Sequence, residues 1–319
     1  MQKYRIAILR GGPSDEHGVS LQSGANVIKT LSTDHSIIDI VVDKNSVWYI
    51  QGIPILPMNA LKSVDVVVNA LHGEYGEDGK VQQILDHVGI PYTGSDSLSS
   101  ALGMHKWRAK EIFKLAGIKT PHAIKVSNNL DVSSQALEIF KTFTLPVIIK
   151  PISSGSSIGV SVARDLQGIE QALVSVFSYS NTALVEEYIK GKEATCVVVE
   201  DFRAEKYYAF PPIEIMKHMD VAFDNEMKYG GGIEELCPGN FTKTEKELIM
   251  QSAINAHIAI GARHYSRSDF IVHPTRGIYI LEINTLPGLT EASLLPKALN
   301  AVGSNMKEFL EHLIAQAIK

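Results

Sequence analysis

Strand-like apolar runs alternate with amphipathic helical stretches up to about residue 94. YRIAIL at 4–9, IIDIVV at 37–42 and DVVVNAL at 65–71 are the runs, and the pattern predicts a parallel α/β domain. The first helix should begin within Ser14–His17 and continue through SLQSGANVIKTL. From about 95 to 185 the chain offers one helix, ALGMHKWRAKEIFKLAG, and then LPVIIKPISSGSSIGVSVA, which reads as two short strands joined by a Gly/Ser loop. From about 186 onward come the strands ALVEEYI and EATCVVVE and a polar stretch, NEMKYGGGIEELCPG. A helix over TEKELIMQSAINAHIAIGA, a hairpin at 267–288 and an amphipathic terminal helix complete the chain. Repeats and low-complexity linkers are absent, so units at 1–94, 95–185 and 186–319 are expected to pack closely.

Composition narrows the function classes. The 319 residues are 45% apolar and 20% charged, with net charge −5. That is ordinary for a soluble globular protein of two or three domains. The balance gives no basic run for nucleic acid, and no apolar stretch approaches the ~20 residues needed to span a bilayer. The start, MQKYRIAILRGG, enters a strand without a signal-peptide core, which leads us to expect a cytoplasmic protein. Cys196 and Cys237 form neither a disulfide framework nor a zinc pattern.

The hairpin RSDFIVHPTRGIYILEINTLPG carries the first chemical signal. Its arms are built for burial, yet Arg267, Asp269, Glu282 and Asn284 interrupt them. A four-residue loop, Pro274 to Gly277, places His273 opposite Ile278, Asp269 opposite Glu282 and Arg267 opposite Asn284. All four polar groups then share one face. A surface charge ladder is the bland explanation. The apolar neighbours favour partial burial, where unpaired carboxylates are expensive and oxygen ligands on Mg²⁺ with bound phosphate remove the cost.

Four further segments fit a nucleotide and a substrate ammonium group. KPISSGSSIG, Lys150 to Gly159, supplies a lysine at a strand end and a loop whose N–H groups can wrap phosphate, although G-x-x-x-x-G-K-[ST] is absent. Glu186, Glu187 and Glu193 flank the following strand and turn, where a carboxylate can bind a ribose or an exocyclic amine. RGGPSDEHGVSL follows the first strand, and its glycines lack the dinucleotide spacing, which disfavours a nicotinamide dehydrogenase. Glu16 in that loop reads as either a helix-end carboxylate or a partner for a substrate ammonium. LHGEYGEDG follows another strand, so His72 and its glycines should share a crevice with Glu16.

Taken in order, GG-x-S-x-E-H-x-VSL, HG-x-x-GEDG-x-x-Q, PYTGS, KP-x-x-x-GSS-x-G, KY…CP, R-x-D and E-x-NT-x-PG-x-T-x-x-S-x-x-P resemble the D-alanine–D-alanine ligases over nearly the whole chain. The resemblance implies a three-domain ATP-grasp fold, its N-terminal α/β domain binding substrate and its central and C-terminal domains enclosing ATP. It implies an ADP-forming ligase that makes D-alanyl-D-alanine for peptidoglycan precursors through an acylphosphate. Two Mg²⁺ ions, with Mn²⁺ able to substitute, would be held by Asp269, Glu282 and Asn284. Lys106, Lys150 and Lys228 would contact phosphates. Glu186, Glu187, Tyr188 and Ile189 would line the adenine pocket, and Glu193 the ribose. Glu16 would face the first ammonium, with His72 nearby. Arg267 and the Gly288 N–H would steady the reacting carboxylate and the oxyanion. Ser293 and the Leu294 backbone would take the second carboxylate, and Ser156 and Tyr229 would join Glu16 in a hydrogen-bonded set. Family members are commonly homodimers.

The chain departs from the family at Met104-His105-Lys106 in place of M-D-K, at Cys237-Pro238-Gly239 in place of C-P-A, and in the extra glycines Gly230–Gly232. His105 removes an acidic group beside a phosphate lysine. The alternatives are ligation of D-alanine to D-lactate or D-serine, on the first of which Tyr229 bears, and a nucleotide-binding protein without turnover. The three intact metal ligands count against the last.

Overall fold

Residues 2–153, 159–217 and 233–319 are described by the computed structural model. The N-terminal unit comprises β1 (Arg5–Gly11), α1 (His17–Leu31), β2 (Ser36–Val42), β3 (Trp48–Ile50), β4 (Ile53–Ile55), α2 (Pro57–Ala60), β5 (Val66–Asn69) and α3 (Lys80–Val88). Its sheet runs β4-β3-β2-β1-β5. β1 pairs in parallel with β2 on one side and β5 on the other, so the segments leaving β1 and β5 emerge at one edge, where such sheets bind ligands. The parallel core matches the sequence pattern. It is extended by an antiparallel meander, β2-β3-β4, whose three-residue strands are too short to read as a period. Gln51 and Gly52, both at positive φ, make the tight turn between β3 and β4.

The next elements are α4 (Ser97–Met104), α5 (Lys106–Leu115), β6 (Ala123–Ser127), α6 (Val132–Thr142), β7 (Val147–Pro151), β8 (Ser161–Ala163), α7 (Leu166–Phe177) and β9 (Thr182–Glu187). β6-β9-β7-β8 form an antiparallel sheet backed by α6 and α7 through Ile139, Val147, Ile149, Leu173 and Val185. The strands on either side of the Gly/Ser loop pair as expected. The single helix expected over 101–117 is two. His105 stands in extended conformation (φ −89°, ψ 91°), ends α4 and caps α5, its ring accepting from the Arg108 N–H at 3.3 Å. Burial lowers the His105 pKa, which favours the neutral ring that this acceptor role needs. The cap position is one that a carboxylate also fills well, so histidine can replace aspartate there without losing the helix start. α4 and α5 pack on the C-terminal unit, with Ala109 and Phe113 in its core.

That unit holds β10 (Lys192–Phe202), β11 (Glu205–Ala209), β12 (Ile213–Lys217), β13 (Ile233–Leu236), α8 (Lys243–Ile260), β14 (Tyr265–His273), β15 (Gly277–Asn284), α9 (Leu294–Ala301) and α10 (Met306–Ile318). Among the described residues its sheet runs β13-β12-β10-β14-β15, with β11 also on β10. A capping box, Thr242 with Glu245, starts α8, which covers one sheet face over Ala194, Cys196, Val198 and Phe270. On the other face Val197, Val199 and Tyr265 pack against α9, α10 and the N-terminal Ile6, Ile8 and Val66. Further along that second face stand Thr195, Arg267 and Asp269. One end of the face is core and the other is polar, which resolves why these strands mix the two residue types.

The hairpin register holds where it matters and differs at the tip. Arg267 lies opposite Asn284 and Asp269 opposite Glu282, as the sequence predicts. His273, however, pairs with Gly277 rather than Ile278, so the loop is Pro274–Arg276. The register shifts between Asp269 and Phe270, leaving Leu281 as an extra residue. The bulge cancels the shorter loop, because each moves the register by one.

Candidate active site

Each polar group on the ribbon has a partner. Arg267 forks onto Asp269, with Nε 2.9 Å from Oδ1 and Nη2 2.8 Å from Oδ2, and Thr195 donates to Oδ1 at 2.5 Å. Lys106 Nζ lies 2.8 Å from Glu282 Oε2. The Asn284 amide oxygen accepts from the Leu286 N–H at 2.7 Å. Burial works against ionising Glu282, but Lys106, with Lys150 and Arg267, outweighs it and holds the carboxyl below its ordinary range. Burial likewise opposes the Arg267 charge, and Asp269 and Glu282 more than offset that. Among the described residues no three His, Cys, Asp or Glu side chains are grouped to hold a metal. The donor set is instead two carboxylates and an amide oxygen on one face of the β14–β15 hairpin. Hard oxygens of this kind, completed by phosphate and water, suit Mg²⁺, and Lys106 holds the Glu282 carboxylate ionised for it.

On the β7 side, Lys150 Nζ lies 2.9 Å from Glu186 Oε2. Lys110 Nζ reaches the other oxygen at 2.8 Å and also donates to Thr120 Oγ1 at 2.7 Å. Burial would raise the Glu186 pKa, and the two lysines reverse that. Burial pushes Lys110 the other way, down to about 8, against the pull of Glu186. Sequence reasoning passed over Lys110 as one of several lysines on an amphipathic helix. The available signal is its spacing of four from Lys106, which puts both on one side of α5, one toward Glu282 and one toward Glu186. Glu187 turns away from Glu186, as strand alternation requires, and its carboxylate accepts from the His122 N–H (3.0 Å) and from Arg276 (3.2 Å). Tyr188 is exposed and Ile189 buried. Glu193 lies on β10 opposite Ile271. Ser156, Lys228, Tyr229 and Gly230–Gly232 lie outside the described residues.

At the carboxyl ends of β1 and β5 the two glycine loops meet. Glu16 is the N-cap residue of α1, but its side chain makes no cap hydrogen bond. Gly73, at φ +75°, lies so close that a Cβ there would sit 2.9 Å from Glu16 Oε2, so the second loop reaches the first only as glycine. Ser14 Oγ donates to the His72 carbonyl at 2.6 Å. Glu77, a residue that sequence reasoning did not single out, is buried beneath. Its Oε1 accepts from the Gly73 N–H at 2.9 Å and lies 3.7 Å from His72 Nδ1. Burial, with the Glu16 charge adding, raises the Glu77 pKa against His72. The fields of Glu77 and Glu282 both reach Arg267, which links this crevice to the ribbon. GEDG offers two adjacent acids, and only the folded chain says which is enclosed.

The loop from β15 to α9 closes the remaining side. Ser293 is the N-cap residue of α9 and accepts from the Thr290 N–H at 3.2 Å. A Cβ on Gly288 would come within 2.7 Å of Ser293 Oγ, so these two residues face one another. A half-buried helix start with Ser293 and the Leu294 N–H suits a carboxylate.

Family comparison matches this arrangement at both ends of the chain. The model described as "D-ala D-ala ligase N-terminus" covers residues 5–55 and 53–95, and "D-ala D-ala ligase C-terminus" covers 112–315. The chain belongs to the D-alanine–D-alanine ligase family. A D-alanine–D-alanine ligase of Geotalea uraniireducens is 37% identical over 99% of this chain and 96% of its own. Among solved structures, the VanG D-Ala:D-Ser ligase from Enterococcus faecalis superposes with TM-score 0.86 at 30% identity, over 98% of this chain and 99% of that one. D-alanyl-alanine synthetase A from Vibrio cholerae gives 0.87 at 26%, over 100% and 99%. These neighbours confirm the expected ATP-grasp architecture. Membership brings ATP use and a divalent metal requirement. Among the described residues no helix is long and apolar enough to cross a membrane.

Proposed function

We propose that the protein activates one D-alanine with ATP as an acylphosphate and passes the acyl group to the amine of a second. The γ-phosphoryl group moves to a carboxylate oxygen of the first D-alanine, releasing ADP. The second amine then attacks the acyl carbon, loses a proton and expels phosphate. Ligation of D-alanine follows from the family of the chain. The Lys106–Glu282 pair, the Arg267–Asp269 pair and the close approach of Glu16 to Gly73 support activation of the first carboxylate at this crevice.

In this reading Glu16 takes the first ammonium beside His72, and Arg267 steadies the carboxylate that attacks. Lys106 and Lys150, joined by Lys228, neutralise the phosphates that meet it. Two Mg²⁺ ions on Asp269, Glu282 and Asn284 would supply charge neutralisation between ATP and carboxylate. Glu186 with Ile189, Glu187 and Tyr188 would border the adenine, and Glu193 the ribose. The Gly288 N–H would meet the oxyanion, and Ser293 with the Leu294 N–H the second carboxylate. Ser156 and Tyr229 would close the set with Glu16. A cytoplasmic homodimer completes the proposal, supported by the family resemblance alone.

The test is phosphate release from ATP with D-alanine, L-alanine, D-lactate and D-serine supplied separately and then each with D-alanine. Release with D-alanine alone, yielding dipeptide, is expected. A mixed D-alanyl-D-serine product in excess would instead favour the specificity named for the Enterococcus neighbour.

A further inference from the structure

Helix α1 begins at Glu16, and one of its later turns grips the loop that carries Gly288. Ser23 Oγ accepts from the Leu289 N–H at 3.2 Å and lies 2.8 Å from His72 Nε2. Asn26 Nδ2 donates to the Leu289 carbonyl at 2.8 Å. Both backbone groups of Leu289 are therefore taken by side chains three apart on one helix face. Ser23, His72, Leu286 and Leu289 are all buried, and the Leu289 side chain sits in the core that α1 shares with β1 and α10.

The hydrogen bonds fix a direction. The Leu286 carbonyl lies 3.2 Å from His72 Nδ1 and can only accept, so the proton is on Nδ1. With the proton on Nδ1, Nε2 is left as an acceptor, and Ser23 donates its O–H there while a lone pair of the same oxygen takes the Leu289 N–H. The relay runs from Leu289 N–H to Ser23, from Ser23 O–H to His72, and from His72 Nδ1–H to Leu286. It leaves the 286–289 loop and returns to it, and Glu77 beside Nδ1 favours the same tautomer.

We infer that Ser23 and Asn26 are positioning residues that, by fixing both backbone groups of Leu289 while His72 fixes the Leu286 carbonyl, hold the Gly288 N–H between them at a set distance from Glu16, and that Ser23 also selects the Nδ1–H tautomer of His72. This rests on the proposed roles of Glu16 and Gly288. One rigid helix then serves both half-reactions, with its N-terminus at the first amino-acid pocket and its Ser23–Asn26 face positioning the donor that meets the tetrahedral oxyanion. Ser23→Ala leaves the Leu289 N–H unpaired and His72 Nε2 without its donor. The phosphoryl-transfer step keeps Glu16, Arg267 and the lysines, and His72 stays beside the first ammonium with only its proton moved.

The experiment separates the two half-reactions. Scrambling of ¹⁸O between the bridging and non-bridging positions of the ATP β-phosphate, with D-alanine present, reads reversible acylphosphate formation. Dipeptide formation reads the second step. For Ser23→Ala, scrambling should stay within about threefold of the wild type while dipeptide formation falls about ten- to hundredfold, as for a displaced oxyanion donor. Ser23→Thr should restore both. ¹⁵N shifts should show His72 as Nδ1–H in the wild type and a shift toward Nε2–H in Ser23→Ala. Asn26→Ala, at a partly exposed site, should lower dipeptide formation without changing the His72 tautomer. Equal loss in both half-reactions, or an unchanged His72 spectrum in Ser23→Ala, would overturn the inference. A wild type without scrambling removes the acylphosphate reading, and the inference is then decided by the His72 spectra and the dipeptide yields of the variants.

Discussion

Replacing Lys110 with methionine keeps the length of the side chain and removes a charge that the fold encloses. Lys110 is 1% exposed and Glu186 2%. Removing one partner of a buried pair costs about 3–5 kcal/mol when the other is left alone. Glu186 keeps Lys150 at 2.9 Å, so a loss of about 2–3 kcal/mol is the expected size. At about 2–4 °C per kcal/mol, melting should drop by roughly 4–12 °C. The functional consequence is separate. With Lys110 gone, Lys150 is the only counter-ion of Glu186 among the described residues, and turning it to a nucleotide phosphate would leave a buried carboxylate unpaired. The KM for ATP should rise about tenfold or more, and the KM for D-alanine should stay near its wild-type value. Differential scanning fluorimetry and initial rates with each substrate varied measure the two effects. A lowered melting point with an unchanged KM for ATP would make Lys110 a purely structural residue. No change in either would refute the buried triad.

Glu282→Gln should leave melting close to wild type and lower turnover by about two orders of magnitude or more, since the metal set loses a carboxylate. Near-normal turnover at saturating Mg²⁺ would contradict the assignment. Glu16→Gln should raise the KM for D-alanine about tenfold to a hundredfold with little change for ATP, and a loss confined to melting would make Glu16 a helix-end residue. Burial lowers the His264 pKa from 6.5 to about 4, so the unfolded chain binds the extra proton between those values. Stability should therefore be fully present above about pH 6.5 and fall as the pH drops toward 4, by at most about 3 kcal/mol from this residue. His264→Asn, tolerated at the positive φ of 64°, should flatten that part of the urea-midpoint profile.

Local signals were enough for much of this. The period of two placed Arg267 and Asp269 on one face, and the polar glycine loops after YRIAIL and DVVVNA marked the crevice at the ends of β1 and β5. The Asp269–Glu282 opposition was read correctly through a loop one residue too long, because the bulge at Leu281 restores the register, and no residue at 281 advertises a bulge. Glu77 and Lys110 were missed because burial of a charge depends on partners far along the chain, Glu186 in the case of Lys110. Glu187 is different: alternation along β9 already separates it from Glu186. The break at His105 was hidden by helical periodicity that continues straight through it.

Acylphosphate formation can be followed by labelling the D-alanine carboxylate with ¹⁸O and analysing the phosphate released during dipeptide synthesis. Transfer of the γ-phosphoryl group to that carboxylate predicts one ¹⁸O atom in phosphate for every dipeptide formed, with ADP as the nucleotide product. Unlabelled phosphate, or AMP in place of ADP, would contradict it.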